Sequence, residues 1–313
     1  MEFAISEDLW FADDTDEAAS RAAADCFALA IGKLVGVRAF PEPAQRLMRL
    51  TRDPNFKLQE VVKTLEADPA LTSRVLRLAN SSSFSLRRTC TSITQATTLL
   101  GARTVSELAM VVMMLDTFGD ARPSVLALRD HAAAVASIAR FLAMQLGRSS
   151  DDVYAAALLH DVGKLLLLQH DDATSGPTGY ARILEATAGQ RDASHLLERE
   201  VYGFDHAVLA GHLLRAWGLP EPLPTVVGLH HQPSRAYGMP GVGRLVSLVR
   251  LSDRLAYELP LDAADAVAPD EEDIALAASD PAAEALGLDA AKLTHLWSDL
   301  QVAFVEGHKL FSN

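Results

Sequence analysis

Cysteine is nearly missing from this chain: Cys26 and Cys90 are the only two among 313 residues. Two thiols so far apart make neither a disulfide framework nor a thiolate metal site, and both are expected to be structural. Also missing is any apolar run of about 18 residues, the length a helix needs to cross a bilayer. The opening stretch, MEFAISEDLWFADDTDE, is acidic where a secretory signal carries basic residues ahead of an apolar segment. Together these absences predict a cytoplasmic protein with no membrane contact. A basic stripe is lacking as well. The formal net charge is −13, and two segments carry it: residues 1–20 and 261–282 each hold seven acids and no base, which leaves 27 acids against 28 bases elsewhere. A near-neutral body is a poor match for non-specific nucleic-acid binding, which depends on Lys and Arg neutralising phosphates.

What is present is ordinary globular composition, 49% hydrophobic and 22% charged, with apolar residues recurring at three and four spacings and few alternating runs. That pattern predicts an all-α protein. In residues 52–84 two short helices should meet at Asp68-Pro69, because proline restricts the residue before it and favours a first helical turn. A further helix in SITQATTLLG should stop at Gly101. Every candidate chemical residue lies after GDARPS (119–124). The chain therefore divides into an N-terminal part, 1–120, with the acidic segment and a helical subdomain, and a helical bundle, 121–313. Helices are expected at about 125–147, 151–168, 180–200, 206–217, 223–231, 242–258 and 288–311. Residues 170–179 and 261–273 read as loops, the second belonging to the acidic stretch 261–282.

The stretch LLHDVGK (158–164) sets a histidine and an aspartate inside an apolar run, where unpartnered polar groups cost several kcal/mol, on the order of 2–7 each. Others do the same. His131 shares a helix face with Leu128, Val135, Ile138 and Leu142; His160 shares one with Val153, Ala156 and Ala157, and Asp161 points about 100° round the same helix. Asp253 aligns with Val246, Val249 and Ala256. In GFDHAVLAGHLLRAWGLP (203–220), Asp205 is placed to cap a helix with His206 in its first turn. His230 and His231 end a short helix before Pro233. A single histidine on an apolar face is more often a hydrogen-bonded core residue than a ligand. Five histidines and two aspartates turned to one interior favour a metal instead. His170, His195, His212, His295 and His308 receive no role; His212 lies about 240° round the helix from His206.

The order His131, His160-Asp161, Asp253 resembles the H…HD…D pattern of the HD superfamily of metal-dependent phosphohydrolases. His206 and the doublet His230-His231 resemble the additional histidines of its HD-GYP branch, which hydrolyses cyclic di-GMP. FPEPAQRLMRL, LEADPALTSRVLRLANSSSF, SITQATTLLG and GFDHAVLAGHLLRAWGLP together resemble the HDOD family, the HD-related output domain of bacterial signalling proteins, over about residues 35–258. The resemblance implies an N-terminal helical HDOD subdomain followed by an HD-like bundle. It also implies one or two divalent transition-metal ions, Fe, Mn or Zn, on His131, His160, Asp161, His206, His230, His231 and Asp253. The sequence departs from the HD-GYP branch in two places. HHQPSRAYGMPG lacks Gly-Tyr-Pro after the doublet, and Ala127 stands where part of that branch has a third-metal glutamate, so a trinuclear centre is not expected.

Two functions follow from the resemblance. HDOD domains are regarded as regulatory, which implies a non-catalytic scaffold that binds bacterial signalling proteins or a nucleotide. The alternative is a phosphohydrolase of nucleotides or cyclic dinucleotides such as cyclic di-GMP, in which Asp161 and Lys164 act on the reaction.

Overall fold

A computed structural model describes residues 27, 41–52, 57–81, 84, 86, 88–118, 122–147, 151–174, 179–187, 193–259 and 270–309. Among them the chain is all-α, without a strand. The acidic segment 1–20 and Cys26 lie outside the described residues, while Cys90 is buried. No helix among the described residues is long and apolar enough to cross a membrane.

The first helices are α1 (Glu42–Arg52), α2 (Leu58–Glu66), α3 (Pro69–Ala79), α4 (Ile93–Leu100) and α5 (Ala102–Phe118). Their punctuation is chemical. Asp68 accepts from the backbone N–H groups of Ala70 and Leu71 at 2.9 and 3.1 Å, with Pro69 as the first helical residue, so two donors without intrahelical partners are satisfied where α3 begins. Asn80 then ties the end of α3 to the start of the next segment. Its Nδ2 donates to Cys90 O at 2.8 Å and its Oδ1 accepts from Cys90 N at 2.7 Å. Ser92 caps α4 by accepting from Gln95 N at 3.2 Å.

The later helices are α6 (Pro123–Gln145), α7 (Asp151–Leu159), α8 (Val162–Thr174), α9 (Tyr180–Ala186), α10 (Ser194–Tyr202), α11 (His206–Ala216), α12 (Leu223–Leu229), α13 (Pro233–Ala236), α14 (Val242–Glu258), α15 (Glu271–Ala278), α16 (Pro281–Leu286) and α17 (Ala290–His308). The alanine-rich α6 lies at the centre, packed against α7, α14 and α17. One continuous apolar cluster runs from Leu47 and Val75 through Ile138 and Leu159 to Val249 and Leu300. Phe84 stacks edge-on against Tyr154 of α7 at 5.0 Å, and the Arg140 guanidinium of α6 lies 3.9 Å over the Phe84 ring. This contact anchors the segment after α3 to the bundle.

Several boundaries differ from expectation. The helix expected over 151–168 is two, α7 and α8, interrupted at His160-Asp161; the apolar run continues through both on every side, so no change of period marks the break. The helix expected over 180–200 is likewise divided into α9 and α10. Residues 170–174, expected in a loop, continue α8. Residues 271–273, also expected in a loop, begin α15, with Asp270 accepting from Glu272 N at 3.0 Å; acids in a first turn favour a helix there through its dipole.

Candidate metal centre

Five elements deliver the seven side chains. His131 comes from mid-α6 and Asp253 from α14. His160 and Asp161 occupy the turn between α7 and α8, His206 opens α11, and His230 and His231 follow α12. The break at 160–161 matters, since it turns both side chains inward instead of spreading them around one helix. His206 Nε2 lies 3.0 Å from Asp161 Oδ1 and 3.0 Å from His231 Nε2. His131 Nε2 lies 2.9 Å from Asp253 Oδ1, and His160 Nε2 lies 3.5 Å from Asp161 Oδ1 and 3.6 Å from Asp253 Oδ1. The ligand atoms form three overlapping groups, each within 4.8 Å: His131/His160/Asp253, His160/Asp161/His230 and His206/His230/His231. The tertiary structure thus brings all seven into one cluster.

The surroundings suit an ion. His160 Nδ1 donates to Ala157 O and His230 Nδ1 to Val227 O, both at 2.7 Å. A carbonyl only accepts, so Nδ1 carries a proton in each ring, and the neutral form of each imidazole, the one that ligates, presents a bare Nε2. Both Nε2 atoms and Asp161 Oδ1 are buried with no aligned hydrogen-bond partner among the described residues. Three such atoms facing one point would be costly unless a cation satisfied them, so the residues present fit a divalent ion. His231 fits less well, because Arg250 donates towards its Nδ1 at 3.4 Å, whereas ligation through Nε2 would place a proton there. Lys164 of α8 donates to Asp161 Oδ2 at 2.8 Å. Nitrogen and carboxylate donors admit Fe, Mn or Zn alike.

Three further residues belong to this environment: Glu198 and Tyr180, which the sequence does not single out, and His195, which it leaves without a role. Glu198 of α10 is fully buried against His206, Tyr180 of α9 donates to Glu198, and His195 stacks on His231 with ring centroids 4.1 Å apart. The orientation of α10, which no local pattern signals, hid Glu198 and His195. The helix buries Ser194, His195 and Glu198 and exposes Leu196 and Val201, the reverse of a surface helix that turns its apolar stripe inward. His212, assigned no role, sits away from the cluster against Phe27.

Charge is distributed unevenly. Burial opposes ionising Asp161, but the His160 and Lys164 charges outweigh it and hold the carboxyl well below its usual range. Burial opposes ionising Asp253 and Glu198 as well, but the facing His131 and His160 rings outweigh it and hold Asp253 well below its usual range, and His206 lowers Glu198. Burial also opposes charging His206, yet the adjacent Glu198 carboxylate raises it to about 9. His230 is pushed well below its usual value by burial, reinforced by the His231, His160 and His206 charges.

The signs give the metal-free protein a pH profile. His206 contributes stability that is complete below the unfolded pKa of about 6.5 and is lost as pH rises to about 9. His230 contributes stability present above about 6.5 and lost as pH falls. The three carboxylates add stability present above roughly pH 4 and lost in stronger acid. Thermal melts of chelator-treated protein should therefore fall in Tm between pH 6.5 and 9. With Zn²⁺ bound the slope over that interval should reverse, since ligating imidazoles must shed protons. A flat metal-free profile there would contradict this charge assignment.

Comparison with known proteins agrees with this architecture. A curated but uncharacterised relative from Treponema pallidum (strain Nichols) is 26% identical over 196 residues, 61% of this chain. The chain spans only a little over a third, 37%, of that relative's length. Among solved structures, an HDOD domain protein of unknown function from Geobacter sulfurreducens superposes with TM-score 0.68 at 22% identity, covering 93% of this chain and 98% of that one. A protein from Shewanella amazonensis SB2B superposes with TM-score 0.67 at 22% identity, covering 90% and 98%. One from Marinobacter aquaeolei VT8 gives TM-score 0.65 at 22% identity, covering 96% and 68%. At these identities the likeness shows the fold. The HDOD domain family model matches residues 37–233. Asp253 and Arg250 lie beyond that match, supplied by α14. With well over half of its length matched, the chain belongs to the HDOD family.

Proposed function

We propose that this HDOD protein is a cytoplasmic bacterial signalling module whose bundle is built round a divalent metal centre, and that it binds partner proteins or a nucleotide ligand without turning it over. The N-terminal part, to about residue 120, would present the partner surface, and the HD-like part would hold the ion through His131, His160, Asp161 and Asp253, with His206, His230 and His231 able to add a second. The observation that carries this reading is burial. His160, His206 and His230 are 0% exposed, Asp161 3% and Asp253 5%. Only His131 and His231 reach the edge of the cluster, His131 beside the half-exposed Tyr257 ring at 5.2 Å. An ion can enter such a place; a dinucleotide needs the helices to part. The Marinobacter protein, which carries a provisional signal-transduction name, is consistent with this role.

A second reading keeps support from Lys164. Its ammonium, paired with Asp161 inside the cluster, is placed to steady negative charge on a phosphate, and the Shewanella protein carries a provisional phosphohydrolase name. A bound divalent ion would supply an acidified water and neutralise phosphate charge.

Turnover of cyclic di-GMP, linear dinucleotides and a generic phosphodiester in Mn²⁺ or Fe²⁺ separates the two. Little or no hydrolysis is expected. The His160→Ala, Asp161→Ala double variant should nevertheless lose metal and about 4 °C or more of Tm relative to the loaded protein, because free metal at a hundredfold excess over Kd is worth about 2.7 kcal/mol. Robust metal-dependent turnover that vanishes in the double variant would promote the phosphohydrolase. No metal uptake at all would remove the centre itself.

A further inference from the structure

Between α9, α10 and α11 the fold buries an acidic group that neither the HD pattern nor the doublet accounts for. Glu198 is 0% exposed. Its Oε2 accepts twice from one residue, from the His206 backbone N–H at 2.7 Å and from His206 Nδ1 at 2.7 Å. Its Oε1 accepts from the Tyr180 hydroxyl at 2.6 Å. Next to it, Arg199 donates through Nε and Nη2 to Asp205 Oδ2 at 2.9 and 2.6 Å, and Asp205 Oδ1 caps α11 by accepting from Val208 N at 2.9 Å. Two consecutive residues of α10 thus grip the two residues that start α11.

We infer that Glu198, held by Tyr180, is a positioning residue for the metal centre: it fixes the His206 ring so that Nδ1 carries a proton and Nε2 is the one nitrogen offered to the cluster. This rests on the metal-centre reading above and extends it to residues of α9 and α10. The chemistry leaves little freedom. An ionised carboxylate only accepts, and with two donors from the same residue on one oxygen, a rotation of the imidazole about its Cβ–Cγ bond would abandon a charge-assisted bond inside a dry interior. Nε2 then faces Asp161 Oδ1 and His231 Nε2, each 3.0 Å away. A carboxylate behind a ligating imidazole also makes it a stronger donor, and loss of such a partner usually costs 10–100-fold in metal affinity, as a rough range. Tyr180 has the complementary task. By occupying Oε1 it keeps Oε2 facing His206, and it links α9 to the same carboxylate.

Zn²⁺ titration of the wild-type chain, Glu198→Gln, His206→Asn and the double variant tests this, with folding followed by circular dichroism. Glu198→Gln keeps the shape and removes the charge. It is expected to weaken the most loosely held ion roughly 10–100-fold while leaving the helical signal intact. In the His206→Asn background the same change should have no further effect on affinity, because Glu198 acts through that ring. Tyr180→Phe should give a smaller loss in the same direction. Undiminished affinity in Glu198→Gln, or losses that add in the double variant, would overturn the inference. Should Glu198→Gln fail to fold, ¹⁵N-histidine spectra of the metal-loaded wild type decide instead: His206 must show a protonated Nδ1, and a protonated Nε2 in its place refutes the assignment. A wild-type chain that takes up no Zn²⁺ contradicts the metal reading separately, and the spectra of the metal-free chain then still report whether Nδ1 of His206 keeps its proton on Glu198.

Discussion

Replacing Gly163 by alanine is expected to destabilise the protein by about 3 kcal/mol or more, beyond the usual 1–3 kcal/mol of an overpacked core. A Cβ built at Gly163 would fall 2.0 Å from the carbonyl oxygen of His206 and 2.8 Å from its carbonyl carbon. The obstacle is backbone in the first turn of α11, so no side-chain rotation relieves it. Alanine is intrinsically the better helix former by about 1 kcal/mol, but a shift of α8 against α11 of roughly 1.5 Å, the gap to an ordinary contact, outweighs that gain. The same shift drags His206 away from Asp161, so metal affinity should fall with stability. Gly238→Ala is the matched control, since nothing lies within 4 Å of the added carbon, and it should stay within about 0.5 kcal/mol of wild type. Urea unfolding of the three proteins checks this. A Gly163→Ala protein as stable as the control would mean that α8 and α11 do not approach as described.

Removing the Asp161 carboxylate should come close in magnitude. In the metal-free protein, Asp161→Ala is expected to cost about 3–5 kcal/mol, the penalty for breaking a buried ion pair and stranding its partner. The stranded partner is Lys164, whose side chain is only 7% exposed and whose ammonium lies 2.8 Å from Asp161 Oδ2. Burial alone would push Lys164 towards neutrality; the Asp161 charge reverses this and keeps the ammonium protonated. Hence Lys164→Met should restore much of the lost stability in the Asp161→Ala background, because an apolar pair of similar bulk carries no desolvation penalty. A double-mutant cycle from urea unfolding at neutral pH reads the coupling directly. Strongly non-additive losses are expected; a coupling below about 0.5 kcal/mol, the range of independent sites, would show that Lys164 does not depend on Asp161.

Much of the site was legible before any fold was known, for a definite reason. His131, His160 and Asp253 interrupt helix faces that are otherwise apolar, and Asp205 before His206 is a recognisable cap; these are local polarity contradictions, visible in one dimension. Glu198 was not legible. In LLEREVY it is one acid in a mixed run, and its burial follows from α10 turning its polar side inward against α11, while Leu196 and Val201 face out. Arg250 shares the difficulty. It stands one helical turn before Asp253 on α14, and only the approach of the residues after α12 brings its guanidinium to His231. The break at 160–161 escaped for the opposite reason, since LLHDVGKLLLL offers apolar residues on every side and no period to interrupt.

The sequence by itself determined the helical class, the helix junction at Asp68-Pro69, the glycine stop at Gly101 and the identity of the seven inward polar residues, because each depends on side chains within about a turn or two of one another. Only the tertiary structure decided that these seven converge, that Glu198, Tyr180, His195 and Arg250 surround them, and that Gly163 must remain without a side chain. Those outcomes are distances between elements far apart in the chain. Local propensity carries no information about such distances until the apolar faces of α6, α8, α11 and α14 have packed and fixed them.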